Sequence, residues 1–194
     1  MMNQLIGEKA PSFNVTGVSE TGEIKQYCLE DYEGQYVVLF FYPLDFTFVC
    51  PLELLNMSAL IPQFTSLNAV VLGVSIDSEH THSAWRNTPV KSGGIGKIQF
   101  PLLSDLDKEM MLNYGVMNQK PSVALRGTII IDPKGLVRIQ HINDLPIGRN
   151  PDEILRLVSA IGFHEKYGDV CPPKWQAGEK ALKPTKEGLL EYQE

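Results

Sequence analysis

Two stretches of the chain are almost wholly apolar. Val37-Val38-Leu39-Phe40-Phe41-Tyr42 and residues 69–76 are rich in β-branched and aromatic side chains, the pattern of strands covered on both faces. Residues 128–131 and 136–141 flank Asp132-Pro133-Lys134-Gly135, a turn signal that predicts an antiparallel hairpin. Between these runs the period changes. Leu54, Met57, Ile61 and Phe64 recur at spacings of three and four, so a helix is expected from residue 53, with Pro62 kinking or restarting it. Residues 78–88 predict a second helix stopped before Pro89, and residues 105–114 a third ended by Gly115. The fourth has Asn150 as N-cap, Pro151 at its first position, Glu153 as capping-box partner and Gly162 past its end. Parallel-type strands joined by a crossover helix, then a helix, a hairpin and a final helix, make an α/β design: a central mixed sheet flanked by helices. Residues 172–194 carry Pro172, Pro173, Pro184 and scattered Lys and Glu with little periodicity, and read as an extended arm.

Composition narrows the function classes. The chain has 194 residues, 43% of them hydrophobic and 21% charged, which suits one core with an appendage. A net charge of −6 argues against nucleic acid or an anionic membrane as partner. No run approaches the roughly 18 apolar residues of a membrane span. The N-terminus lacks the apolar stretch of a secretory signal. Three cysteines, Cys28, Cys50 and Cys171, are too sparse for a disulfide framework and form no Cys-x-x-Cys pair, so a cytoplasmic location is expected.

Cys50 stands out among them. It sits where a buried strand hands over to a helix, facing unpaired N–H groups and the positive end of the helix dipole, which favour a thiolate. Pro51 is expected at the first helical position. Thr47 could aim its hydroxyl at the thiolate or at a bound oxygen, and Pro43 offers an apolar wall against water, although both also suit ordinary turn chemistry. Val170-Cys171-Pro172 echoes Val49-Cys50-Pro51, and two such thiols point to redox chemistry. Cys28 reads as a structural cysteine. His80 and His82 alternate near a helix start, a weak metal signal better read as solvated.

Pro43-Leu44-Asp45-Phe46-Thr47-Phe48-Val49-Cys50-Pro51 resembles the active-site signature of the typical 2-Cys peroxiredoxins. Further segments match in order: Ser75-Ile76-Asp77-Ser78 before His82 and Trp85, Gly93-Gly94-Ile95-Gly96, Arg126 to Asp132, Asn143 to Arg149, and Val170-Cys171-Pro172 with Trp175. The resemblance covers nearly the whole chain. It implies a thioredoxin-like peroxiredoxin domain over residues 1–165 and, over 166–194, a C-terminal arm carrying the resolving cysteine. It implies Cys50 as peroxidatic cysteine, Arg126 stabilising thiolate and peroxide, Thr47 bonding the peroxide, Pro43 shielding, Glu53 orienting the arginines and Arg149 as the second arginine. Outside the family pattern, Glu53 and Arg149 would read equally well as surface charges. Cys171 would resolve the Cys50 sulfenic acid across a homodimer, with five dimers in a ring. Hydrogen peroxide and organic hydroperoxides are the implied substrates, and thioredoxin or a flavoprotein disulfide reductase the electron donor. No metal, haem or flavin is implied.

Other thiol chemistries fit less well. A disulfide reductase needs Cys-x-x-Cys, but Thr47 holds the earlier position. A cysteine phosphatase needs an arginine where Asn56 stands, and no histidine among His80, His82, His141 and His164 has a protease context. A holdase chaperone in the oligomeric or over-oxidised form is the alternative outside enzymology. The tail departs from the family's easily over-oxidised members: the Gly-Gly-x-Gly loop is kept, but Tyr192 is followed by Gln193 rather than phenylalanine. An intermediate resistance to over-oxidation is expected.

Overall fold

The structure, a computed structural model, describes residues 4–193. Two compact units emerge, Met1–Pro151 and Asp152–Glu194. The first contains β1 (Asn14–Val18), β2 (Ile24–Cys28), β3 (Tyr36–Phe41), α1 (Cys50–Ala59), α2 (Ile61–Ser66), β4 (Ala69–Ser75), α3 (Glu79–Asn87), β5 (Leu102–Ser104), α4 (Glu109–Asn113), β6 (Met117–Gln119), β7 (Ser122–Ala124), β8 (Arg126–Ile131) and β9 (Val137–Asn143). Helix α5 (Pro151–Tyr167) leads into the second unit, which ends in α6 (Lys186–Gln193).

Seven strands form one mixed sheet in the order β2-β1-β5-β4-β3-β8-β9, and β6 pairs with β7 separately. β3 runs parallel to β4 and antiparallel to β8, with Val38 opposite both Val71 and Ile130. Every residue of β3 is buried, which is why its run shows no alternation. Val37, Leu39 and Phe41 join Leu72, Val74, Ile129 and Ile131 in the main core, while Val38 and Phe40 point to the opposite face. The fold is thioredoxin-like, a mixed sheet flanked by helices.

Pro62 restarts the helix as the sequence indicates, ending α1 at Ala59 and opening α2 at Ile61. Three boundaries differ. Pro51 is the second helical residue, because Cys50 itself opens α1. The third helix is confined to Glu109–Asn113: Lys108 takes a left-handed φ of 63°, and the Asp105 carboxylate accepts from the N–H groups of Met110 (3.0 Å) and Met111 (2.9 Å). Gly162 does not end α5, which runs on to Tyr167. Ile154, Val158 and Ile161 make a continuous buried stripe, and the Phe163 ring packs at a tilt against Tyr167 (4.7 Å between centres) and Trp175 (4.9 Å). Those contacts outweigh the cost of about 1 kcal/mol for a mid-helix glycine. The terminating glycine is Gly168, at φ 75°, whose N–H reaches the His164 carbonyl.

The arm has more order than its composition suggests. Val170 and Leu182 exchange two backbone hydrogen bonds (2.8 and 3.0 Å), and Trp175 is buried and donates to the Glu179 carbonyl. Arg156, held by a bidentate pair with Glu153, donates to the Trp175 carbonyl (3.1 Å).

Candidate active site

Strand β3 ends at Phe41, and residues 42–49 make the loop that delivers Cys50 to the first position of α1. A residue there lies beside N–H groups with no intrahelical acceptor. Cys50 is fully buried. Pro43 is buried at the start of the loop. The Thr47 hydroxyl donates to the Leu44 carbonyl (2.9 Å), a turn bond that leaves the oxygen lone pairs as acceptors.

Two arginines and one glutamate meet the cysteine. Arg126, at the start of β8, directs Nη1 to the Cys50 sulfur (3.5 Å) and to Glu53 Oε2 (2.7 Å), while its Nε donates to the Leu145 carbonyl (2.6 Å). Arg149 follows β9. Its Nε (2.9 Å) and backbone N–H (2.8 Å) donate to Glu53 Oε1, and its Nη2 donates to Oε2 (3.1 Å). Nη1 donates to the Gly127 carbonyl (2.7 Å), and the guanidinium lies over the Phe40 ring, 3.3 Å from its centre. Glu53 and Arg126 are 4% exposed and Arg149 7%, so the surface-charge reading of Glu53 and Arg149 does not hold.

The electrostatics follow from that burial. Burial pushes the Glu53 carboxyl up, but the hydrogen bonds and charge of Arg149, with the charge of Arg126, bring it below its ordinary value. Burial lowers Arg149, against the pull of Glu53 upward. Two buried guanidinium charges face one buried carboxylate, leaving one positive charge in excess. The sulfur that Arg126 touches is where a compensating anion would stand.

Cys171 lies in the second unit, half-buried, its thiol 3.6 Å from the Ala160 carbonyl. Burial pushes that thiol up, and the Arg156 charge opposes the shift. None of the three cysteines is in a disulfide. Cys28 is only half-buried, at the edge of the sheet, rather than a core cysteine. His82 is fully buried, against its reading as solvated, whereas the His80 side chain is exposed. His82 and Trp85 share the buried face of α3 at a spacing of three, a signal present in the sequence. Among the described residues, no cluster of His, Cys, Asp or Glu is arranged to hold a metal.

Sequence and structure comparisons agree. Residues 6–140 match the AhpC/TSA family, and residues 160–194 match the C-terminal domain of 1-Cys peroxiredoxin, although this segment carries Cys171. The chain is 49% identical to peroxiredoxin-2 of Mus musculus over 98% of its own length and 96% of that protein's. Chicken (Gallus gallus) peroxiredoxin-1 is 47% identical over 96% and 94% of the two lengths. The crystal structure of reduced 2-Cys peroxiredoxin from Plasmodium vivax superposes with a TM-score of 0.95 at 44% identity, covering 98% of this chain and 99% of that one. AhpC from Enterococcus faecalis gives 0.82 at 36% identity, over 88% and 100%.

Proposed function

Because the chain belongs to the AhpC/TSA family, and is thereby a peroxiredoxin and a thiol-dependent peroxidase, we propose that Cys50 is its peroxidatic cysteine and Cys171 its resolving cysteine. The observation that carries this reading is the Arg126 Nη1 contact with the Cys50 sulfur, held in place by Glu53. The thiolate attacks the terminal oxygen of a hydroperoxide and the O–O bond breaks. Cys50 becomes a sulfenic acid, and the alkoxide or hydroxide leaves and takes a proton to give alcohol or water. Arg126 stabilises both the sulfur anion and the charge that develops on the peroxide oxygens. Thr47, its own proton committed to Leu44, accepts from the peroxide O–H.

The Cys171 thiol then attacks the sulfenic acid, forming a disulfide and releasing water, and a dithiol reductant of the thioredoxin or flavoprotein disulfide reductase class restores both thiols. Substrates are hydrogen peroxide and small organic hydroperoxides. The disulfide joins two subunits of a homodimer, and five dimers associate into a ring. Phe48, 93% exposed, and the exposed Leu52 flank Cys50 with apolar surface that supports association with further copies. A reducing compartment suits this cycle.

Peroxide turnover with a dithiol reductant tests the reading. It should vanish in Cys50→Ser. In Cys171→Ser a single turnover to the sulfenic acid should remain, without the disulfide-linked dimer. Turnover persisting in Cys50→Ser would overturn it, and aggregation suppression in that variant would instead favour the chaperone alternative.

A further inference from the structure

Away from Cys50, the sheet has a notch. β4 runs for seven residues, but β5 pairs only with its last three, Gly73–Ser75. The edge that β4 turns towards β5 therefore has no strand beside it from Ala69 to Leu72. A cavity of about 290 Å³ opens there, with walls from Tyr27 of β2, Ile61 of α2, Val71 and Leu72 of β4, and Phe100. That volume lies at the small end of ligand sites, which run from roughly 300 Å³ upward. The cavity shares no residue with the site around Cys50. One wall is fixed from behind: the Gln99 N–H donates to the Ser58 hydroxyl (2.9 Å), and its side-chain amide to the Ser58 carbonyl (3.0 Å).

Tyr27 is the polar group of this apolar cavity. It is 4% exposed, and its ring lies across Gly17 of β1, where a Cβ would meet the ring at 3.1 Å and the Leu102 carbonyl oxygen at 2.6 Å. Its hydroxyl is buried with no hydrogen-bond partner among the described residues, a cost that folded proteins seldom leave standing. Burial, then the charges of Glu20 and Glu23, push the phenol up to about 12 against the pull of Arg86. The hydroxyl therefore keeps its proton at neutral pH and stands ready as a donor. Charges of both signs surround it. Glu20 and Lys25 line the cavity, and Lys25 Nζ lies 5.2 Å from the centre of the Tyr27 ring. Glu20 and Glu23 disfavour an anion there, and Lys25 and Arg86 a cation.

We propose that this cavity binds a small uncharged molecule with an apolar body and one acceptor oxygen, an aryl ketone being the simplest form, and that the Tyr27 hydroxyl donates to that oxygen. The apolar walls take the body, and the single polar group fixes its orientation. Phenylalanine at this position would fill the same space without an unpaired donor, so the bound oxygen accounts for a hydroxyl that the fold itself does not use.

Acetophenone is the probe, with ethylbenzene as its counterpart lacking the acceptor and benzoate as the anion. Binding to the full chain is followed by NMR of isotope-labelled methyl groups, where Ile61, Val71 and Leu72 report on the cavity. In the wild type, acetophenone should shift these methyls and bind about 3- to 10-fold more tightly than ethylbenzene, the scale of one neutral hydrogen bond. Benzoate should bind most weakly. In Tyr27→Phe the preference for acetophenone should vanish, while ethylbenzene binding and peroxide turnover hold their wild-type values. Melting temperature reads the same hydroxyl without any ligand: Tyr27→Phe should match or exceed wild type, because it removes an unpaired buried donor. Unshifted methyls at all three residues, equal affinity of wild type for the two neutral arenes, or a preference that survives in Tyr27→Phe would overturn the site. Benzoate binding as tightly as acetophenone would overturn the uncharged class. A lower melting temperature in Tyr27→Phe would show the hydroxyl already satisfied by the protein or by a bound water, and would overturn its role as donor to a ligand.

Discussion

Glu53 accepts from both guanidinium groups beside the Cys50 sulfur, and its loss would leave two buried cations without a counter-charge. Breaking such a pair by removing one partner costs about 3–5 kcal/mol, so Glu53→Ala should lower the unfolding free energy by that order in denaturant titrations. Its pH dependence has a definite sign. The folded-state carboxyl lies below its ordinary value of 4.5, so its contribution is complete above that value and is lost as pH falls through the lower folded value. The melting-temperature gap between wild type and Glu53→Gln should therefore be full at neutral pH and close only on acidification below 4.5. Arg126 divides its donors among sulfur, carboxylate and a backbone carbonyl, which a single ammonium cannot reproduce. Arg126→Lys should lower the rate of Cys50 oxidation by about 10²- to 10³-fold, the scale of losing one stabilising donor, as read by competition kinetics; a rate near wild type would show that charge alone suffices. These residues were legible in the sequence only through the family signature, because an isolated Glu53 or Arg149 carries no mark of burial. The burial of His82 was visible in its spacing from Trp85, yet its hydrogen-bond partners, Asp45 and the Leu103 carbonyl, come from segments distant in the chain.

At the scale of elements, what the sequence reveals depends on how far each element's own residues decide its conformation. β3 and β4 are legible because burial on both faces demands an apolar run, and the β8–β9 hairpin because Gly135 takes φ 76° at its turn. β1 and β2 are not: β2 is an edge strand with three exposed residues, and its pairing with β1 supplies what its side chains do not. The three-residue strands β5, β6 and β7 are too short for any period. The Gly93-Gly94-Ile95-Gly96 loop is fastened to α3: Trp85 Nε1 donates to the Gly93 carbonyl (2.9 Å), and a Cβ on Gly94 would meet the Thr88 carbonyl oxygen at 1.9 Å. Gly94→Ala should therefore displace the loop and lower thermal stability, whereas a melting temperature equal to wild type would show the loop free to shift. In α6 the exposed Tyr192 is followed by Gln193 rather than by phenylalanine. Gln193→Phe should accordingly raise the fraction of Cys50 trapped as sulfinic acid at high peroxide, read by intact-protein mass spectrometry; an unchanged fraction would exclude the tail as the determinant.

For the whole molecule, the decisive question is whether the two cysteines proposed to complete one cycle belong to one chain or to two. Each unit is ordered by its own contacts: the first by the buried sheet and the charge cluster at Cys50, the second by Trp175, the Glu153–Arg156 pair and the Val170–Leu182 bridge. Cys50 is fully buried in one and Cys171 half-buried in the other, so forming a disulfide requires local opening around at least the first. Complementation distinguishes the alternatives. A Cys50→Ser chain retains only Cys171 of the pair, and a Cys171→Ser chain only Cys50. If the bond forms within a chain, neither variant nor their mixture can make it. If it forms between chains, each variant alone lacks it, but subunit exchange creates heterodimers with one competent pair. After mixing, exchange and one equivalent of peroxide, a non-reducing gel should show a disulfide-linked dimer holding one chain of each kind, resolved by a size tag on one variant. Its absence, with the wild type oxidised to its disulfide under the same conditions, would place the bond within one chain.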